Sequence, residues 1–288
     1  MKPLILFVLA FFLTGVVPSY AEKTKVIASI APLADFARQV GGEKVDVKLL
    51  LPPGASPHTY EPTPRAIQDI SNAGVFIKIG SGLEFWAEKI IKAAANKKLI
   101  IVDSSSGVSL LRDPHSHGHR SADPHIWLDP FIASGIITKI ENAFIKADPE
   151  NSEHYRLNAS QYREKLSELD TEISGRVKEF STKEYVTFHP AWNYFSRRYG
   201  LQVAAVIEES PGKEPGPKHM QKIIKKIKAI GKKVVFVEPQ FNPKIAEVIA
   251  KESGAKVLYL DPIGGQKGRE TYLDLMKYNI SAIEKAMK

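Results

Sequence analysis

The 288-residue chain contains no cysteine. That excludes disulfides, thiolate metal sites, a cysteine nucleophile and the lipid-bearing cysteine that follows the leader of a lipoprotein. It also has no His-Glu-x-x-His pair of the kind that marks many zinc hydrolases, no internal repeat and no nucleic-acid-binding motif. Past residue 17 no apolar run approaches the ~20 residues of a membrane-spanning helix. The formal charge of +8, from 40 basic and 32 acidic residues, is carried mostly by scattered lysines. Lys222, Lys225, Lys226 and Lys228 do cluster, but Ile223, Ile224, Ile227 and Ile230 alternate with them. That pattern is the wet face of an amphipathic helix, so the charge calls for no nucleic-acid partner.

Residues 1–21 are read as a cleaved signal peptide. Lys2 gives a positive start, Leu4 to Val17 is nearly all apolar, and Ser19 and Ala21 supply small residues at the cleavage site. The competing reading is an uncleaved anchor, for which the run is short. Export without a lipid anchor points to the bacterial periplasm. About 267 residues then remain to fold, enough for one large domain or two medium ones.

Apolar strand-like runs alternate with helix-like ones. Strands are expected at 25–30, 45–50, 75–79 and 99–102, then at 184–188, 203–207, 234–237 and 257–260, with helices between them. A repeated β-then-α order predicts mainly parallel sheets covered by helices, an α/β fold. The longest helical signal lies in the middle. Tyr155, Tyr162, Leu166, Leu169, Ile173, Val177 and Phe180 form one apolar stripe, with Asp148 and Pro149 suited to its start. No flexible linker interrupts it. The expected organisation is an N-terminal lobe at 22–147 with a loop at 103–124, a linking helix at 148–180, and a C-terminal lobe at 181–288.

Four separate motifs each offer one metal ligand: Ser-Pro-His58-Thr-Tyr-Glu-Pro, Asp-Pro-His125-Ile-Trp-Leu-Asp-Pro, Thr-Phe-His189-Pro-Ala-Trp and Tyr-Leu-Asp261-Pro-Ile-Gly-Gly. His189 and Asp261 directly follow strand candidates, and His58 follows one by a short Pro/Gly loop. Ligands in open parallel sheets bind beyond the carboxyl ends of the strands. Each residue taken singly has a bland reading: a histidine in a loop is usually a surface residue, and Asp-Pro at a strand end is a common turn. Taken together they form a matched set of three imidazoles and one carboxylate, which suits Zn²⁺.

These motifs, with the leader, resemble those of the zinc- and manganese-binding solute-binding proteins of bacterial ABC importers, and the resemblance covers the whole mature chain. It implies two lobes joined by a long backbone helix and one metal ion between them, bound by His58 and His125 from the first lobe and His189 and Asp261 from the second. It also implies a membrane permease as partner, a monomer, and no enzymatic activity. In this family a histidine at the third position accompanies zinc and a carboxylate manganese. His189 therefore favours Zn²⁺ over Mn²⁺, as ligand chemistry also does. Pro190 departs from the pattern, since many relatives have an acidic residue there.

His115, His117 and His119 resemble a shortened form of the histidine-rich loop of zinc-specific members. They are read either as a low-affinity capture site or as an incidental polar loop. Glu61 and Glu208 are candidates for contacts behind the ligands. The competing functions are a manganese-type binding protein, a zinc hydrolase, for which Glu61 or Glu208 would have to serve as base, and an adhesin sharing the fold.

Overall fold

The computed structural model describes residues 22–112, 122–210, 212–230 and 233–288. The leader and His115, His117 and His119 lie outside the described residues.

Two parallel four-stranded sheets organise the molecule. The first consists of β1 (Thr24–Ala28), β2 (Val45–Leu49), β3 (Val75–Lys78) and β4 (Ile100–Asp103), in the order β2-β1-β3-β4. The second consists of β5 (Glu184–Thr187), β6 (Gln202–Val206), β7 (Val234–Val237) and β8 (Lys256–Tyr259), in the order β6-β5-β7-β8. The two orders are equivalent. In each, the first strand is internal and its successors fall on opposite sides, which creates a switch point and a crevice at the carboxyl edge. Val234–Val237 is buried throughout, as expected for a strand covered on both faces.

Around the first sheet pack α1 (Ala31–Gly41), α2 (Pro64–Ser71), α3 (Ala87–Ala94) and α4 (Pro130–Ala147). Asp129 caps α4 by accepting the Phe131 N–H at 3.0 Å, and Pro130 occupies the first helical position. The linking helix α5 (Ser152–Lys178) follows, 27 residues long. It begins later than the sequence suggests. Asp148 does not cap it, because its carboxylate accepts the Tyr155 hydroxyl (2.7 Å) and the Asn151 amide (2.8 Å), and residues 149–151 form a tight lead-in turn. Around the second sheet pack α6 (Asn193–Tyr199), α7 (Pro217–Ala229), α8 (Lys244–Ser253) and α9 (Tyr272–Met287). Helix α9 starts three residues later than its apolar pattern implies, where Thr271 accepts the Asp274 N–H.

The apolar stripe of α5 is buried from Tyr155 to Val177. It lies in one hydrophobic cluster that runs from Val26 and Ile77 under the first sheet, through Leu166 and Ile173, to Tyr185 and Phe236 under the second. Helix α9 also joins this cluster and touches both α1 and α5. The stretch 103–124 is less loop-like at its ends than its composition suggests. Asp103 belongs to β4, and Arg112 pairs with Ala122 in an antiparallel bridge that closes the neck of the segment.

Candidate metal centre

His189 stands two residues beyond β5, the internal strand of the second sheet. His58 arrives on the loop after β2, and His125 stands at the head of the short turn that leads into α4. Their rings converge. His125 Nε2 lies 3.1 Å from His58 Nε2 and 3.3 Å from His189 Nε2. Two nitrogens bound tetrahedrally to one zinc at ~2.05 Å are ~3.3 Å apart, so the spacing fits a single first-row ion. A shared proton can bridge one such pair, but three converging ring nitrogens are better matched by a cation. Among the described residues these three histidines form the group able to hold a metal.

Carboxylates stand behind two of the three rings. Asp123 Oδ1 accepts His125 Nδ1–H at 2.7 Å and the His125 backbone N–H at 3.0 Å. Its Oδ2 accepts from Asn193 of α6 at 3.0 Å, and its carbonyl accepts the Tyr194 hydroxyl, also at 3.0 Å. The second lobe thus holds a residue that orients a ligand of the first. Glu238, one residue past β7, brings Oε2 to 2.5 Å from His189 Nδ1, and both side chains are almost wholly buried. A proton fixed on Nδ1 leaves the Nε2 lone pair for a metal. His58 is partly buried. Burial first, and then the positive charge that His125 and His189 can carry, push its pKa well below the ordinary imidazole range.

The space among the rings is about 10 Å³, walled by Ser56, Pro57, Gln240, Phe241, Pro262 and Ile263 as well as the histidines and Glu238. Phe241 stacks on Phe188 and lies 5.1 Å from the His189 ring, which closes that side with apolar surface. Several buried polar atoms here have no hydrogen-bond partner: Ser56 Oγ, His189 Nδ1, both Glu238 oxygens, Gln240 Oε1 and Asp261 Oδ2. Such atoms are rare in native proteins, and their concentration around three imidazoles marks a place built for an ion.

Asp261 stands outside the histidine group. It is fully buried, and its Oδ1 accepts the N–H groups of Ile263 and Gly264 (3.0 Å each) and the Gln240 amide (3.1 Å). Oδ2 faces the Arg269 guanidinium at 3.3 Å. Glu208 is buried, accepts the Gly212 N–H, and has its pKa raised by that burial; the positive charge that His189 can carry opposes the rise. Glu61 is exposed. Asp123 and Glu238 were not among the sequence candidates. Each carried a signal: Asp123 sits two residues before His125, and Glu238 directly follows a strand at the crevice edge.

Residues 26–286 match the family of the zinc-uptake complex component A, periplasmic. The chain belongs to this family. It is 31% identical to the high-affinity zinc uptake system protein ZnuA of Bacillus subtilis (strain 168), over 95% of this chain and 90% of that protein. It is 30% identical to the zinc-binding protein AdcA of Streptococcus pyogenes over 91% of this chain, but spans only 55% of AdcA. A crystal structure of ZnuA superposes with a TM-score of 0.84 at 32% identity, covering 92% of this chain and 99% of that one. The zinc-uptake family is thus a family of transport components, and zinc is the ion that suits this chain's histidine group.

Proposed function

We propose that this protein captures Zn²⁺ in the periplasm and delivers it to the membrane permease of an ABC importer, acting as a monomer without catalysing a reaction. The observation that carries this reading is the convergence of His58, His125 and His189 on one buried space in a chain of the zinc-uptake family. Zinc is the cargo. The three imidazoles bind it through Nε2, and Asp261 supplies the fourth ligand through Oδ2, the oxygen that accepts no hydrogen bond. In the proposed organisation the lobes are 22–147 and 181–288, joined by the helix within 148–180, with 1–21 removed on export. Glu208 adds negative potential behind His189. For His115, His117 and His119, which lie outside the described residues, the two readings are a weaker capture site and an incidental polar segment.

The size of the site favours a carrier over a hydrolase. A substrate pocket typically needs ~300 Å³ or more, and this cavity of about 10 Å³ has room for an ion and little else.

The test is elemental analysis of the purified protein followed by competition between Zn²⁺ and Mn²⁺. One tightly held zinc per chain is expected, with zinc the winner. His189→Ala should weaken binding by orders of magnitude. His154→Ala should leave it unchanged, because that ring is engaged with Gly41 and Asn158 instead. Any further, weaker zinc should vanish on deletion of residues 113–120. Equal effects of the two alanine substitutions would overturn the assignment.

A further inference from the structure

We infer that Glu238 is the positioning residue of the zinc site: it fixes the tautomer of His189 and supplies part of the negative charge that a buried dication requires. The inference rests on the zinc-binding reading above and goes beyond it to a residue that binds no metal itself.

Strand register places the pair. Thr187 of β5 is the partner of Phe236 of β7. Two residues further along each strand come His189 and Glu238, so neighbouring parallel strands deliver imidazole and carboxylate side by side at the crevice edge. Pro190 and Pro239 follow immediately on the two strands, and their fixed φ angles stiffen both exits.

The approach of Glu238 Oε2 to His189 Nδ1, at 2.5 Å, lies off the line of an ideal hydrogen bond. Neither group has another hydrogen-bonding partner, although the Glu238 side chain is 1% and the His189 side chain 3% exposed. A buried carboxylate with no donor is among the costliest arrangements a protein can hold. A proton on His189 Nδ1 lessens that cost, since it sets a polar N–H beside the carboxylate and leaves Nε2 as a lone pair facing His125.

Charge makes the same point. Three neutral imidazoles do not offset a dication, and an uncompensated charge in a dry site is unfavourable. The Asp261 carboxylate already faces Arg269 at 3.3 Å. Two carboxylates reach the site through imidazoles, Asp123 through His125 and Glu238 through His189. Asp123 is tethered to Asn193 as well, whereas neither Glu238 oxygen accepts a hydrogen bond. Glu238 is therefore the carboxylate most dependent on its histidine.

The test compares wild type with Glu238→Gln and Glu238→Asp. Zinc affinity is measured by competition with a chelator, and ¹⁵N NMR reports the histidine tautomers of zinc-stripped protein. Loss of such a supporting carboxylate typically costs ~10–100-fold in metal affinity. Glu238→Gln should lose that much, and Glu238→Asp should recover part of it. In wild type, His189 should show one tautomer, with the proton on Nδ1, and Glu238→Gln should show a mixture. If Glu238→Gln fails to fold, the wild-type tautomer still decides the matter. A His189 proton on Nε2, or a folded Glu238→Gln with unchanged affinity and tautomer, overturns the inference. Wild type that binds no stoichiometric zinc would instead overturn the functional reading.

Discussion

Within the site, the basicity of His58 is suppressed. Burial and the positive charge available to its neighbours hold its pKa well below that of free imidazole, which is ~6.5. Between the depressed folded value and that unfolded value, the unfolded chain binds the extra proton and the folded chain does not. Stability therefore rises with pH across this window and falls as the solution is acidified below about pH 6.5. For binding, the same shift keeps the His58 lone pair available to zinc at pH values where an ordinary imidazole would be protonated. Urea denaturation of zinc-stripped protein at a series of pH values tests this. Wild type should lose more stability on acidification than His58→Gln, and identical pH slopes would count against it. Of the sequence candidates, the structure brings together His58, His125 and His189, where chemistry and position coincided. His58, His125 and His189 each sit beside a proline, in loops whose place the β-then-α order predicts. Glu238 carried only the signal of its place just after a strand, because its pairing with His189 depends on strand register, which no local pattern encodes. Asp261 was read correctly as a strand-end residue. Its ties to Gln240 and Arg269 come from packing between segments that are distant from β8 or follow it in irregular chain.

At the level of elements, α5 runs between the sheets, packing on α1 and α4 on one side and on α6 and α9 on the other. Its buried residues recur at helical spacing, while the outer face bears charge. Leu166 is 1% exposed within the core cluster, and Glu168, two positions on, is exposed. Leu166→Ala should cost about 2–5 kcal/mol, from lost burial plus the cavity left behind. Glu168→Ala should stay within about 0.5 kcal/mol. Denaturant midpoints distinguish them, and similar shifts would mean that the stripe is not the packing face. The eight strands were legible because runs of Val, Ile, Leu and Phe bounded by turns leave few alternatives. Helix starts were less so. Asp148-Pro149 looks like a helix entry, but Tyr155 and Asn151 occupy the Asp148 carboxylate, a competition between side chains that a capping rule does not weigh.

For the whole molecule, the decisive feature is that the lobes share a core instead of meeting only across a cleft. Asp35 of α1 accepts the Tyr162 hydroxyl of α5 at 3.0 Å and the Tyr272 backbone N–H of α9 at 2.8 Å. The Trp127 indole donates to the Pro262 carbonyl and the Tyr272 hydroxyl donates to the Trp127 carbonyl, both at 2.7 Å. Three of these four bonds join the first lobe to chain that follows the second sheet and the other joins it to the linking helix, so wide hinge opening would break buried hydrogen bonds and expose apolar surface together. Sequence periodicity gave no hint of this, because α9 reads as a helix of the second half yet packs on α1 and α5. Zinc exchange should then proceed by movement of the ligand-bearing loops over a stiff frame. Zinc-loaded and zinc-stripped protein should have nearly equal radii of gyration in X-ray scattering and matching far-ultraviolet circular dichroism. The metal should still stabilise the fold by mass action, by about 2.7 kcal/mol when free zinc is 100 times Kd and about 4.1 kcal/mol at 1,000 times Kd. A shared core also calls for a single thermal transition in both states, with its midpoint rising as free zinc rises. Two resolved transitions, or a radius that expands markedly when zinc is stripped, would show that the lobes move as separate bodies and that release works by a hinge.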